Sequence, residues 1–393
     1  MVADVSSGLG TNNLTMEGSA NSLGNQAQFL SKRLYSLDAL RGFDMFWIIG
    51  AEDIIHGLAK YTHSPFWEGF SDQLRHPVWN GFTMYDLIFP LFIFLAGVST
   101  PYSIGKALGD GVAKQVLLRR VIKRGLILFA LGVIYNNGLT LRPLAEIRFS
   151  SVLGRIGITY MFANILYLYV KERWLAIWFA GLLIGYYLLL KFLSAPGFAA
   201  GDLSMEGNFA SYVDRMLLPG KLSLGIHDTV GLFNNIPAIG NALAGIMVGI
   251  FLKKTNLGGR EKSLYLASVG LISLLMAQVW NLDFPINKNL WSSSFVLQTV
   301  GFSLLFFALF YYVIDVLGYK KWAFMFQVIG VNSILIYLSE KFIEWEYTAK
   351  KLFDWVYQLA GEPMAPIFVA IAILLIKWLF LRLLYQKNLF LRV

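Results

Sequence analysis

Between Leu87 and Val98 almost every residue is apolar, and with its flanks the run reaches the length of about 20 residues at which a helix crosses a bilayer. Comparable apolar segments recur near 39–58, 117–135, 152–170, 174–193, 232–252, 263–281, 292–314, 322–341 and 364–385. In hydrocarbon a backbone must satisfy its own hydrogen bonds, so repeated runs of this length leave few folds open. The expected fold is all-α, a polytopic transmembrane helix bundle of about ten spans. The composition agrees: 56% hydrophobic and only 15% charged residues, with a mean hydropathy of +0.58, is more apolar than a soluble core requires.

The net charge of +9 suggests nucleic acid only if the basic residues gather on one folded surface, and they do not. Lys106, Lys114, Arg119, Arg120, Lys123 and Arg124 follow the second span, and Lys253, Lys254, Arg260 and Lys262 follow the sixth. Lys171, Arg173, Lys320, Lys321, Arg382, Lys387 and Arg392 fall on the same side. Short basic loops mark the cytoplasmic face, which places both termini there and excludes nucleic acid as a partner. The opposite loops, 59–82, 136–151, 194–231, 282–291 and 342–363, are longer and mix acids with bases. Residues 1–32 are rich in Ser, Gly and Asn, with neither a basic start nor an apolar run, and read as a disordered cytoplasmic tail rather than a signal peptide. With 0 cysteines, the chain has no disulfide framework and no cysteine to carry an acyl group.

Polar residues inside such segments are the candidates for function. His76, Asn80 and Asp86 stand at the entrance of the Leu87–Val98 run. A carboxylate in hydrocarbon costs roughly 2.5–3.5 kcal/mol at a helix centre, and less near the interface. Pro77 disfavours helix at the residue before it, so His76 is expected in an extended loop. In the first span Arg41, Asp44, Glu52 and His56 share one helical face by spacing. That face reads either as an Arg41–Asp44 ion pair with polar ends, or as a path for substrate or protons. His56, His63 and His76, with Asp53 and Glu68, have irregular spacing and predict no metal site. The long loop 194–231 predicts a short amphipathic helix lying over the bundle as a lid. In it His227 either binds sugar or caps a turn. Trp67, Trp79, Trp280 and Trp291 fall near the interfaces, as belt residues or as platforms for a sugar ring.

Five motifs stand in order along the chain: RLYSLDALRG, His76 followed by WNGFTMYDLIFPLFIFLAG, VLGRIGITY at 152–160, FPINKNLWS at 284–292 and VNSILIYL at 331–338. Together they resemble the heparan-α-glucosaminide N-acetyltransferase family over nearly everything after residue 32. The resemblance implies a single transmembrane acyltransferase domain over 33–393. It also implies transfer of acetyl from cytoplasmic acetyl-CoA to the amine of a glucosamine-type amino sugar on the outer side. The family's catalytic histidine carries over to His76, and Asn80 and Asp86 match polar positions downstream of it. Arg155, Asn287, Asn289, Trp291, Asn332 and Ser333 match positions expected around the cofactor or acceptor. Likeness to bacterial members implies a multi-pass protein of the bacterial inner membrane. Its expected partners are the lipid bilayer, acetyl-CoA and the acceptor, with a homodimer left open. One departure concerns the acceptor: Thr229 and Val230 follow Asp228 where related sequences have a proline and an acid.

An imidazole with an ordinary pKa near 6.5 suits removal of a proton from an ammonium acceptor. His76 acts either as general base in a ternary complex or as a transient acetyl carrier. Asp86 either orients the imidazole or favours a helix N-terminus, and Asn80 either donates to the thioester oxyanion or shapes the turn before Gly81. Arg155 either snorkels to the interface or serves catalysis or phosphate binding. Acetyl-CoA's phosphates would meet the basic loop 106–124. A tunnel shared by both substrates is expected to have apolar walls with His76 where thioester and amine meet. The rival class is a transporter of an amino sugar or similar solute, which inward-facing charge would also serve but for which no repeated halves are visible.

Overall fold

The computed structural model describes residues 34–140, 142–361 and 364–391; the tail expected over 1–32, and Arg392 of the basic loops, lie outside them. Among the described residues the regular structure is helical, joined by loops that carry two isolated bridges, Arg148 to Gly220 and Ser194 to Asn208. Helix α1 (Tyr35–Phe46) passes through a π-turn at Trp47–Ala51 into α2 (Glu52–Thr62), and α3 (Pro65–Gln73) follows. A 3-10 turn at Met84–Leu87 opens α4 (Ile88–Gly109), then come α5 (Lys114–Asn137), α6 (Val152–Tyr169) and α7 (Leu175–Phe192). The outer loop carries α8 (Phe209–Leu217). The second half runs through α9 (Asn235–Lys254), α10 (Gly259–Asn281), α11 (Ser293–Phe310), α12 (Phe324–Val331), α13 (Ser333–Phe342), α14 (Trp345–Ala360) and α15 (Ala365–Gln386).

Among the described residues, 7 helical segments are long and apolar enough to cross a membrane: Met84–Gly109, Val152–Tyr169, Glu172–Phe192, Asn235–Lys254, Gly259–Asn281, Ser293–Val316 and Ala365–Gln386. The other expected spans are helical but differ in kind. Tyr35–Thr62 is charged and carries a π-turn, with Gly50 at φ 126°. Helix α5 begins with the basic residues Lys114 to Arg124. The 322–341 run breaks at Asn332 (φ −118°, ψ 29°) into α12 and α13.

Helices α4 and α9 form the centre and are largely buried, whereas α7, α10 and α15 present apolar rims. Small residues set the central contact. A Cβ on Gly97 would strike the carbonyl of Ala242, and one on Gly245 would strike that of Phe94, so the two backbones touch. Gly42 and Gly330 bring α1 and α12 together in the same way.

The face expected to join Arg41, Asp44, Glu52 and His56 is not formed. Arg41 pairs with Asp38 at 3.5 Å, the acid standing on the N-terminal side of the base as a helix favours. Asp44 is buried, and one carboxylate oxygen has no hydrogen-bond partner. The π-turn then changes the register, and His56 Nδ1 meets Ser71 Oγ at 2.7 Å, away from Arg41. Lys377 of α15 donates to the carbonyl of Ile49 in this turn at 2.8 Å and pairs with Glu340 at 2.8 Å. An intramembrane ion pair absent from the expectations thus occupies a backbone acceptor that the widened turn leaves available.

The expected amphipathic helix of the 194–231 loop is α8, capped by Asn208, whose side chain accepts from Ser211 N at 2.7 Å. Arg148 clasps Asp228 through two hydrogen bonds of 2.9 and 3.1 Å. Trp79 donates to Leu203 O at 3.0 Å, tying the His76 loop to the loop above it.

Candidate functional site

His76 lies in the loop between α3 and the Met84–Leu87 turn, where Pro77 ends any helix and Gly81 (φ 122°) reverses the chain. The Gly81 N–H donates to Ile286 O at 2.9 Å, which fixes this loop against the one before α11. Thr83 and Asp86 form a capping box at the start of the turn. One carboxylate oxygen of Asp86 accepts from Thr83 N at 3.2 Å, leaving the other for His76 Nδ1 at 2.7 Å. One carboxylate thus contacts both the imidazole and the backbone at the start of the turn. An ionised carboxylate only accepts, so the ring proton sits on Nδ1 and Nε2 carries the lone pair, which the Lys288 ammonium reaches. Asp86 is fully buried and His76 is 48% exposed.

A third group completes the cluster. Lys288 Nζ stands 3.2 Å from Asp86 Oδ1 and 3.0 and 3.1 Å from the two ring nitrogens of His76. Burial pushes this ammonium below its usual range, and Asp86 opposes the shift. The sequence reading passed over Lys288, although it stands inside the FPINKNLWS motif, because a lysine between two asparagines reads as a solvated loop residue.

The three groups open onto a cavity of about 280 Å³ that is also lined by Tyr85, Asn289 and Trp291. A narrower cavity of about 40 Å³ shares Ile48, Ile88, Phe89, Val152 and Tyr337 with it. That neck in turn shares Phe92, Ile156 and Ile334 with a third cavity of about 200 Å³, where Arg41, Ser99, Arg124 and Ser333 supply the polar groups. The cavities thus follow one another from the His76 end to the basic end, with an apolar waist between two polar chambers.

Of the remaining expected residues, Asn289 and Trp291 line the His76 cavity and Ser333 the basic chamber, while Arg155, Asn80, Asn287 and Asn332 line neither. Arg155 is buried at 1% exposure, its guanidinium 4.4 Å from the Trp291 ring, so it does not snorkel to the interface. The Cys-free core holds it by stacking instead, and two of its nitrogens have no hydrogen-bond partner. Trp291, held at φ 52°, donates to Asn241 at 3.0 Å and forms the cavity wall. Asn287 shapes the loop: it donates to Asn80 Oδ1 at 3.0 Å and accepts from Leu290 N at 2.8 Å. Asn80 consequently turns toward Asn287 and does not line the cavity. At the far end Asn332 donates to Leu389 O at 3.0 Å and accepts from Leu391 N at 3.1 Å, latching the C-terminal segment. Ser333 lines the basic chamber. Thr229 and Val230 belong to the wall of the His76 cavity.

Behind that wall lies a buried polar cluster. His227 Nδ1 meets Ser211 Oγ at 2.6 Å, and the Trp79 ring packs edge-on to the imidazole at 5.2 Å. Burial pushes His227 down to about 4 and Asp214 up to about 6. Among the described residues no three His, Asp or Glu side chains gather as a metal would need.

A family model described as heparan-alpha-glucosaminide N-acetyltransferase, catalytic, matches residues 33–277. The chain is 27% identical over 394 residues to the heparan-alpha-glucosaminide N-acetyltransferase of Mus musculus, covering 84% of this chain and 56% of that protein. It is 28% identical over 374 residues to the protein of the same name from Homo sapiens, covering 80% and 54%. The chain spans about half the length of the curated relatives it matches. His76, Asp86 and Arg155 fall inside the matched residues, which run from the start of the first span into α10 and make up more than half of the chain; the chain belongs to the heparan-alpha-glucosaminide N-acetyltransferase catalytic family.

Proposed function

We propose that the chain is an integral-membrane acetyltransferase of about ten spans with both termini in the cytoplasm. It takes acetyl from acetyl-CoA at the basic end and delivers it to the amine of a glucosamine-type sugar at the His76 end. The observation that carries this reading is the succession of cavities linking Arg41 and Arg124 to His76 through an apolar waist. Two guanidinium groups suit the phosphates of the nucleotide, and the waist suits a slender, weakly polar pantetheine arm. A transporter would also use a passage, but it has no need of a hydrogen-bonded His–Asp pair beside a lysine.

The chemistry follows from the cluster. Asp86 accepts a hydrogen bond from His76 Nδ1–H and holds the ring, which leaves Nε2 to act as base toward the acceptor amine once the Lys288 ammonium turns to the thioester oxygen. As the amine nitrogen bonds to the thioester carbon, Nε2 takes its proton. The C–S bond then breaks, and the imidazolium returns a proton to the departing sulfur. The Lys288 ammonium stabilises the negative charge that develops on the carbonyl oxygen. Direct transfer in a ternary complex is favoured over an acetyl-imidazole intermediate, because His76 is half exposed and an acyl-imidazole hydrolyses in a wet site.

The test is transfer of labelled acetyl from acetyl-CoA to glucosamine by the purified chain, beside His76→Ala at equal folded amount. Transfer by the native protein, reduced by about a hundredfold or more in the variant, is the expected result. Equal rates in the two proteins would refute the role of His76. Absence of both transfer and acetyl-CoA binding would refute the acetyltransferase reading.

A further inference from the structure

Helix α5 starts at the basic end, and one stripe of it stays uncovered. Gly125 and Gly132 turn the opposite face onto α6, where an added Cβ would meet Gly157 and Ser151. Along the free stripe Arg119, Lys123, Leu126, Ile127 and Ala130 stand three and four residues apart, with Arg120 at its edge, and all are exposed. Its first turns are basic and the next are apolar. On a helix facing lipid, that order matches the passage from the headgroup layer into hydrocarbon.

The charge on this stripe is not balanced by the protein. Among the described residues Arg119, Arg120 and Lys123 form neither an ion pair nor a hydrogen bond. Residues 101–124 hold six Lys and Arg against a single acid, Asp110. By contrast Lys253 donates to Pro101 O at 3.0 Å, Lys262 donates to Leu252 O at 2.9 Å, and Lys254 pairs with Glu172 at 2.7 Å. Membrane orientation is satisfied by cations in loops, whereas these three stand inside a helix.

Two grooves meet on the stripe. One, of about 450 Å³, lies between α4 and α5, with Ser103, Ile104 and Ala107 across from Arg120 and Lys123. The other shares Lys123 and Ile127 with it and continues from Arg119 over Leu126 and Ala130. A basic pocket between membrane helices that runs out onto an apolar flank has the polarity of a phospholipid, with an anionic headgroup for the cations and an acyl chain for the flank. A nucleotide has no such tail, and the guanidinium groups proposed for the donor's phosphates, Arg41 and Arg124, line the chamber beside the groove.

We propose that this face of α5 binds an anionic phospholipid, its phosphate between Arg119, Arg120 and Lys123 and its acyl chain over Leu126, Ile127 and Ala130. The site lies apart from the reacting groups and does not depend on the acetyltransferase reading.

The experiment titrates the purified full chain in detergent with dioleoylphosphatidylglycerol and with dioleoylphosphatidylcholine, which share their acyl chains and differ in headgroup charge, and reads bound lipid by native mass spectrometry. Phosphatidylglycerol is expected to bind more tightly by about tenfold or more. Arg119→Gln/Arg120→Gln/Lys123→Gln should abolish this preference and each single replacement should remove part of it, while Arg119→Lys/Arg120→Lys should keep it. Arg260→Gln/Lys320→Gln/Lys321→Gln, which removes as much charge from other loops of the basic end, should also keep it. No preference in the native protein, or an equal loss in the two triple variants, would reduce the attraction to diffuse charge and overturn the site. Displacement of the bound lipid by coenzyme A would assign the groove to the donor's nucleotide and overturn it as well.

Discussion

His76, Asp86 and Lys288 come from three separate pieces of chain, and their separate duties predict separate kinetic effects. In Asp86→Asn the amide keeps a hydrogen bond to the ring but can leave it in the wrong tautomer, so kcat should fall about a hundredfold while KM for acetyl-CoA holds. Lys288→Met should lower kcat about tenfold or more, with Lys288→Arg recovering part of the loss; unchanged kcat would remove Lys288 from the reaction. The pair behind the cavity wall makes a pH prediction. His227 sits near 4 in the folded chain against an ordinary value of about 6.5, so it adds stability as pH rises from 4 to 6.5 and loses it as pH falls. Asp214, raised from 3.8 to about 6, does the reverse: stability present at low pH is lost as pH rises through that window. Each effect is worth about 3 kcal/mol and they oppose, so the native loop should show little net dependence between pH 4 and 6. Hydrogen-exchange protection across 194–231, corrected for the intrinsic pH dependence of amide exchange, should rise with pH in Asp214→Asn and fall with pH in His227→Gln. Parallel behaviour in the two variants would contradict this account.

At the scale of elements, the contact between α4 and α9 depends on the absence of side chains at Gly97 and Gly245. Gly97→Ala should lower the thermal midpoint in detergent by the equivalent of about 1–3 kcal/mol, since its Cβ meets backbone rather than a movable side chain. Gly181→Ala on α7, where a Cβ meets nothing within 4 Å, is the control and should leave the midpoint unchanged. The same scale shows what the sequence could reveal. Apolar runs located the helices because the solvent imposes their length, and Pro77 located the loop of His76 because its ring restricts the residue before it. The amides were harder to place. Asn289 lines a cavity while Asn287 and Asn332 fasten loops, and an amide serves either role with the same atoms. Lys288 stayed hidden because its partners, Asp86 and His76, lie about two hundred residues away in sequence. The π-turn at Trp47–Ala51 was invisible to a reading that assumes 3.6 residues per turn, and with it went the single polar face of the first span.

Across the whole molecule, the proposed route for the acetyl donor runs through the waist between the chambers. Replacing Ile334, which lines both the waist and the basic chamber, by Trp should close the route while leaving His76 and its partners in place. Transfer from acetyl-CoA should then fall by about tenfold or more, as expected of a misplaced substrate. Transfer from a short thioester such as S-acetyl-N-acetylcysteamine, small enough to enter beside His76, should persist. Loss of both would place the damage in the catalytic cluster instead.

The same waist bears on the membrane's own integrity. Met45, Ile48, Ile88, Phe89, Phe92, Val152, Leu153, Ile156, Ile334 and Tyr337 enclose it, without a single charged side chain. An apolar constriction expels water, and a dewetted stretch is a barrier to ions. On the proposed reading of the cavities as the donor's route, the unoccupied waist is itself a barrier to ions and needs no moving gate.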